Sequence, residues 1–364
     1  MHDGLRFAIY DKTGSFRCQL EGVDATADLA PNAVPTATFT LDDDRKELAD
    51  ITANGARCGV WFRGKERFRG IIQETPGDGP YGKVTAHVRG DIRKLWHWQG
   101  RPVPSAGLGD QTSDYRVHSG PSETVFKDAV AENLLRLGVP WSVAPSLGRG
   151  TATVASLRFH PLADKLLPGL DADHLIVALS YDGPNVLVDV RQAKTVPGVL
   201  TIASGIPEGY KYERSGPTAT RVVVGGRGEG VDREFVEFRD EALEADWGDI
   251  IEGFKDARNT EEGADLTIDA REALAEGRPK SGISTTLNET DRFQYGTTYT
   301  EGDLVTVRVG PIQRAQPISV SITETAGEGV VVTPRIGNVE DDTTDALARD
   351  IARLARGIRD TGRR

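Results

Sequence analysis

The sequence predicts a mainly β fold of the α+β kind: two small β-barrel domains flanking an α/β domain, followed by a C-terminal helix. Three observations predict it. Apolar and polar residues alternate with period two through the first hundred residues. A helical, three-and-four spacing replaces that alternation in the middle of the chain. Period two then returns, most clearly in Tyr299-Thr300-Glu301-Gly302-Asp303-Leu304-Val305-Thr306-Val307-Arg308-Val309, where a Gly-Asp turn launches a half-buried strand.

Taken in order, the first domain spans 1–99. In Thr36 to Leu41, the threonines 36, 38 and 40 face one way and Ala37, Phe39 and Leu41 the other. Cys58 to Phe62 and Arg67 to Ile72 read as a hairpin joined by Arg63-Gly64-Lys65-Glu66. After the turn Pro76-Gly77-Asp78-Gly79-Pro80, Lys83 to Arg89 alternates again with Val84, Ala86 and Val88 inward. Many short strands at this spacing suggest a barrel or a sandwich.

Residues 100–196 read as a small α/β domain. Pro121 suits a first helical position, and Glu123 and Asp128 favour the N-terminal half of that helix. Phe126, Val130, Leu134 and Leu137 form one face, and Gly138 and Pro140 stop it. A shorter helix is expected from Pro161 to Leu167, ended by Pro168. Leu175 to Tyr181 and Val186 to Arg191 flank the turn Asp182-Gly183-Pro184-Asn185 as a hairpin.

The second barrel is expected over 197–337, with an acidic, partly helical excursion at about 243–292 that includes Ile268 to Glu276. Thr220 to Val224 and Glu234 to Phe238 are candidate paired strands, and Ile318, Val320 and Ile322 alternate with Ser319, Ser321 and Thr323. Residues 338–364 are expected to form a charged amphipathic helix whose Leu347, Ile351, Leu354 and Ile358 have the spacing of a coiled-coil seam.

Composition narrows the function. The chain has 364 residues, enough for two or three domains. With 38 % apolar and 7 % aromatic residues it is lean for one large enzyme core and ordinary for several thin-walled barrels. A formal charge of −11 argues against a nucleic-acid binder, which needs a basic surface. No apolar run reaches the length of a membrane span, and Met1-His2-Asp3-Gly4 does not open a secretory signal. Cys18 and Cys58 make neither a disulfide framework nor a four-ligand zinc site and are expected as reduced thiols packed in strands.

No catalytic, cofactor-binding or metal-binding constellation stands out, so catalytic, cofactor and metal residues are expected to be none. Gly225-Gly226-Arg227-Gly228-Glu229-Gly230 follows a strand but precedes another strand, so it reads as a hairpin connection and not a dinucleotide loop. The histidines 2, 87, 97, 118, 160 and 174 share no metal-ligand spacing. Asp42, Asp43 and Asp44 lack the spaced ligands and central glycine of a calcium loop. Trp96 and Trp98, on either side of His97, read as a packing or interface cluster. The acidic stretch Asp240 to Asp249 reads as either a solvated loop or an inter-subunit contact, and an exposed Trp247 within it favours contact.

Several segments, in this order, resemble the hub-type minor tail proteins of long-tailed (siphovirus) actinobacteriophages, a group similar to the baseplate-hub and tail-associated hub family. They are Phe68-Arg69-Gly70-Ile71, Thr220 to Gly226, Trp247-Gly248 continuing to Asp256-Ala257-Arg258, Tyr299 to Val307, and Pro334-Arg335-Ile336-Gly337. The resemblance implies a non-enzymatic structural protein of the tail tip in the virion, made in the bacterial host cytoplasm. It implies a homotrimer whose two barrels per subunit form a ring that adapts a six-fold tail tube to a three-fold tip. Its implied partners are the distal tail protein, the tail tube and other minor tail proteins, with DNA or tape-measure protein passing through the channel. No cofactor and no stable membrane insertion are implied. The expected interface residues are Trp96, Trp98, Trp247, Leu347, Ile351, Leu354 and Ile358. The sequence departs from larger hub proteins in ending after one helix, with no fibre and no appended hydrolase. The alternatives are a carbohydrate- or receptor-binding module, with Trp61, Trp96 and Trp98 as candidates, and a cell-wall hydrolase.

Overall fold

A computed structural model describes residues 4–336, apart from 79–80, 209, 215, 229, 258–265, 268–269, 271–272, 275–276, 280 and 310–311. Two compact units emerge: one built from residues up to 210 together with 285–336, the other described over 211–284. The sequence divides the chain elsewhere, at about 100, 197 and 338. The expected C-terminal helix, with Leu347, Ile351, Leu354 and Ile358, lies outside the described residues.

The first unit begins with strands β1 (Leu5–Tyr10), β2 (Phe16–Glu21), β3 (Ala25–Leu29) and β4 (Thr36–Asp42). A one-turn helix, α1 (Leu48–Ile51), leads to β5 (Arg57–Phe62), β6 (Lys65–Glu74) and β7 (Lys83–Gly90). The alternation read from the sequence holds. Ala37, Phe39 and Leu41 are buried, and the rings of Phe7 and Phe39 lie 4.6 Å apart. The β5–β6 turn is tighter than expected. Only Arg63 and Gly64 form it, with φ of 48° and 73°, the left-handed pair that suits a two-residue hairpin. Lys65 and Glu66 already belong to β6. Cys18 and Cys58 both sit opposite Ile9, on the two sides of β1. Two strand spacings, roughly 9.6 Å, separate their backbones, too far for a disulfide.

The middle of this unit carries α2 (Lys94–His97), β8 (Gln99–Gly100), β9 (Arg116–Pro121), α3 (Ser122–Leu137) and β10 (Trp141–Val143). It continues with β11 (Ala152–Leu157), β12 (His160–Pro161), α4 (Leu162–Ala172), β13 (Leu175–Asp182) and β14 (Asn185–Gln192). Helix α3 follows the expected span, with Pro121 one residue outside it, and Gly138 ends it at φ 61°. Phe126, Val130 and Leu134 join Leu157, Leu162, Leu166, Leu170 and Val188 in one core. Helix α4 is a correction, because Pro168 lies inside it. Proline there removes one backbone hydrogen bond and costs about 3 kcal/mol. The buried stripe Leu162, Leu166, Leu167 and Leu170 straddles the proline, and each buried leucine contributes about 1.5–3 kcal/mol.

After β15 (Thr195–Leu200) the chain enters the second unit. There β16 (Lys211–Arg214), β17 (Arg221–Gly225), β18 (Phe235–Arg239), α5 (Glu241–Trp247) and β19 (Glu252–Asp256) precede β20 (Ser281–Thr286). The expected hairpin is present: β17 pairs antiparallel with β18 across the glycine-rich loop, and parallel with β19. Ala219, Val222, Val224, Ala257, Leu266 and Ala270 form its small core. Asp240 caps α5 by accepting the Leu243 N–H at 3.1 Å. The helical stretch expected over 268–276 lies largely outside the described residues.

The chain closes with β21 (Leu304–Val309), β22 (Ile312–Thr325) and β23 (Gly329–Ile336). Residues 312–317 of β22 pair with β21, while 320–324 lie between β23 and β3. A large mixed sheet results, running β23-β22-β3-β4-β7-β6-β5-β1-β2, with β21 on β22 and β15 parallel to β21. Thr285 and Thr286, at the end of β20, pair with β23. Strands from the first and last hundred residues are therefore hydrogen-bonded neighbours. The protein is mainly β, and no closed barrel is found among the described residues.

Candidate functional site

Among the described interface candidates, Trp96 and Trp98 are half-buried and packed on the core of the helical middle. The indole of Trp98 meets Trp141 edge-on at 5.0 Å, and the Lys94 ammonium lies within 5.8 Å of both rings. Burial disfavours the Lys94 charge and lowers its pKa. Much of each of these two rings is thus already used in packing. Trp247, the last residue of α5, is half-buried and lies over Gly216, where an added Cβ would come 3.3 Å from the indole. Trp61 is half-buried with the Arg6 guanidinium 6.0 Å from its ring.

The Gly302-Asp303 turn proves to be a joint. Gly302 has φ +83°, and a Cβ there would lie 2.0 Å from Ile176 Cδ1 of β13 and 3.1 Å from Pro31 Cβ, so a side chain would be strained and would have to displace Ile176. Asp303 is buried. Its carboxylate accepts the Thr300 N–H at 2.9 Å, the Thr300 hydroxyl at 3.0 Å, the Lys194 N–H at 3.1 Å and an Arg191 guanidinium N–H at 3.0 Å. Burial opposes its ionisation, but the Thr300 and Lys194 N–H groups and Arg191 outweigh it and hold the pKa below the usual range. Leu304 N–H then donates to Lys194 O at 2.7 Å. The turn thereby fastens β21 to the chain leaving β14.

Next to it, Tyr295 and Tyr299 are fully buried. Glu289 accepts two N–H groups of Arg63, at 3.3 and 3.0 Å, and the Tyr299 hydroxyl at 3.4 Å. The Arg67 guanidinium lies 4.4 Å from the Tyr295 ring. This aromatic and arginine cluster ties the β5–β6 hairpin to the segment before β21. The sequence contains the tyrosines and the turn, but nothing local in it pairs Arg63 with Glu289.

A second buried ionic cluster lies at the start of α3. Glu123, fully buried, accepts Arg149 N–H at 3.0 Å and two of its guanidinium N–H groups at 2.9 Å each, and pairs with Lys127 at 2.8 Å. Lys127 also reaches Asp189 at 2.7 Å and Pro145 O at 3.0 Å. Its i,i+4 acid-before-base spacing was the available sequence signal. Both arrangements are saturated with donors, so they position backbone and leave no free acid or base.

Among the described histidines, His118 and His160 each have a local partner. His118 is buried with Nε2 at 3.6 Å from Glu132, and burial lowers its pKa. His160 Nδ1 accepts Arg158 N–H at 3.1 Å within a turn. No group of three or more His, Cys, Asp or Glu side chains suited to a metal occurs among the described residues. Asp42 and Asp44 are exposed.

Comparison with known proteins adds the family. The model of the family described as Siphovirus ReqiPepy6 Gp37-like protein matches residues 7–338. No curated protein matches the chain. Among solved structures, the 43 kDa tail protein of prophage MuSo2 from Shewanella oneidensis is similar over 92 % of this chain and 98 % of its own, with TM-score 0.55 and 12 % identity. A tail protein from Neisseria meningitidis MC58 is similar over 92 % of this chain and 97 % of its own, with TM-score 0.53 and 11 % identity. Prophage tail protein gp18 from Listeria monocytogenes EGD-e is similar over 97 % of this chain and 99 % of its own, with TM-score 0.51 and 9 % identity. At these identities the likeness is one of fold.

Proposed function

This chain belongs to the Siphovirus ReqiPepy6 Gp37-like family, and on that premise we propose that it is a structural protein of a phage tail, acting as a hub at the distal tip of the virion. The observation that carries the reading is the end-to-end likeness of fold to three tail proteins, two of them from prophages. Three copies would form a ring with two β-barrels per subunit, adapting the six-fold tube to a three-fold tip. The distal tail protein, the tail tube and other minor tail proteins would be its neighbours. DNA or tape-measure protein would pass through the ring, and the acidic balance of the chain would limit sticking of DNA to its wall. Trp96, Trp98 and Trp247 would contribute the exposed parts of their rings to contacts. Leu347, Ile351, Leu354 and Ile358 would form a seam between copies or against the same subunit.

Electron microscopy of the intact virion tip is expected to show three copies, and any other number would end the hub reading. The isolated chain is expected to associate in a concentration-dependent way, since assembly is coupled to mass action.

The proposed role is non-enzymatic, in keeping with a structural tail family. Incubation with purified host peptidoglycan is expected to release no soluble fragments. Release that disappears in His118→Ala or His160→Ala would overturn this.

A further inference from the structure

Beyond its place in a tail, the first unit carries a groove of about 860 Å³ between the loop 101–107, the start of β9 and the C-terminal half of α3. Its walls are unusual for this chain. Leu135 is 86 % exposed and Val117 53 % exposed, and Pro104 and Val103 line the same groove. Isolated exposed leucines are common, but here several apolar groups share one concavity.

The charge is also out of character. Three arginines, Arg101, Arg116 and Arg136, line the groove against one carboxylate, Glu132, in a chain of net charge −11. Arg116 already pairs with Glu132, its Nε at 2.9 Å from Oε2. Among the described residues, Arg101 and Arg136 have no carboxylate partner. Arg101 reaches only Ala106 O at 3.4 Å. Arg136 donates to Gln99 O and Asn133 Oδ1, and its buried Nε has no hydrogen-bond partner. Burial, and then the like charge of Arg101, disfavour the Arg136 cation. A half-buried guanidinium with no carboxylate partner and a neighbouring cation gains most from an anion.

We propose that this groove docks an acidic peptide segment of another protein, a carboxylate of the segment lying between Arg101 and Arg136 and an apolar side chain resting on Leu135 and Val117. Two features favour a peptide over a free anion. The groove is far larger than a carboxylate or phosphate, and its apolar wall adjoins the cationic one. Arginine suits the role because its planar fork meets a carboxylate in two parallel hydrogen bonds.

The probe is a synthetic peptide alternating glutamate and leucine, titrated into the full-length chain and followed by fluorescence anisotropy. Saturable binding is expected, weakening as salt rises. Arg101→Glu is expected to weaken it by about tenfold or more, the scale of one charge-assisted hydrogen bond. Leu135→Asp, at a position exposed to solvent and hence safe for folding, is expected to weaken it similarly, while circular dichroism and melting stay unchanged. A peptide alternating lysine and leucine is expected not to bind. Equal binding of the two peptides, or no binding of the acidic one, would overturn the proposal. So would self-association of the chain that Leu135→Asp abolishes, since a second copy would then be the occupant. These outcomes are independent of copy number at the virion tip, so this proposal and the hub reading fail separately.

Discussion

Asp303→Ala is expected to destabilise the first unit by about 3–5 kcal/mol, the usual cost of removing one partner of a buried ion pair. The substitution leaves Arg191 facing a site that no longer accepts its N–H, and it strips the acceptor from Thr300 N–H and Lys194 N–H. Each of those donors is then left to find water where little is available. Asp303→Asn keeps the shape and one acceptor oxygen, so its cost is expected to be smaller. The two variants also differ from the parent in pH dependence. The native carboxyl has a pKa below the usual Asp range. Its contribution is therefore fully present above the unfolded-state value of about 3.9 and is lost as pH falls through the folded-state value. Urea titrations at pH 7 and at pH 3 are expected to show a smaller acid-induced loss in Asp303→Asn than in the parent. If Asp303→Ala melts within about 1 kcal/mol of the parent at pH 7, the turn is not a joint and β21 is held by its ladder alone.

The same turn shows what was legible in the sequence and what was not. Gly302-Asp303 is visible as turn chemistry, and Val305 and Val307 as an inward face, because both depend on neighbours in sequence. That Asp303 would meet Arg191 and Lys194 depends on a register between segments more than a hundred residues apart. Alternation reveals which face of a strand is buried, but not which strand lies beside it. For that reason the pairing of β22 with β3 was invisible, and the first and last strand groups read as separate domains. Pro168 was misread for a related reason. Local propensity ends a helix there, whereas the leucines on either side bury against a core assembled from distant strands. The tryptophans at 96 and 98 were legible as a cluster, but Trp141, which meets Trp98, comes from beyond α3. Glu123 was read only as a favourable charge near a helix start. Its burial requires Arg149, supplied by a loop with no pattern of its own.

That dependence on a distant arginine makes Glu123 the second place where a single change is expected to be costly. Glu123→Ala is expected to cost about 3–5 kcal/mol, again because it leaves buried cations without their anion. Lys127 is only 3 % exposed at its side chain and would retain Asp189. Arg149 is less confined, at 27 %, and can turn toward water. The loss is therefore expected to concentrate in the loop that Arg149 anchors. Arg149 O accepts Glu123 N–H at 3.2 Å, and Arg149 N–H donates back to the Glu123 carboxylate, so both contacts tie residues 144–150 to the first turn of α3. Hydrogen exchange in Glu123→Ala should speed up across that loop before the core strands β13 and β14 respond, a local opening that precedes the global one. The pH sign matches that of Asp303: Arg149, against the opposing effect of burial, holds the Glu123 carboxyl well below the usual range. The stabilisation is present above the unfolded value of about 4.3 and fades only in strong acid. A second variant separates charge from packing. Arg149→Ala alone is expected to cost less than Glu123→Ala, because Lys127 still neutralises the carboxylate. The double variant is expected to cost less than the sum of the two. Strict additivity, or a Glu123→Ala protein with unchanged exchange in 144–150, would show that the buried carboxylate does not hold the loop.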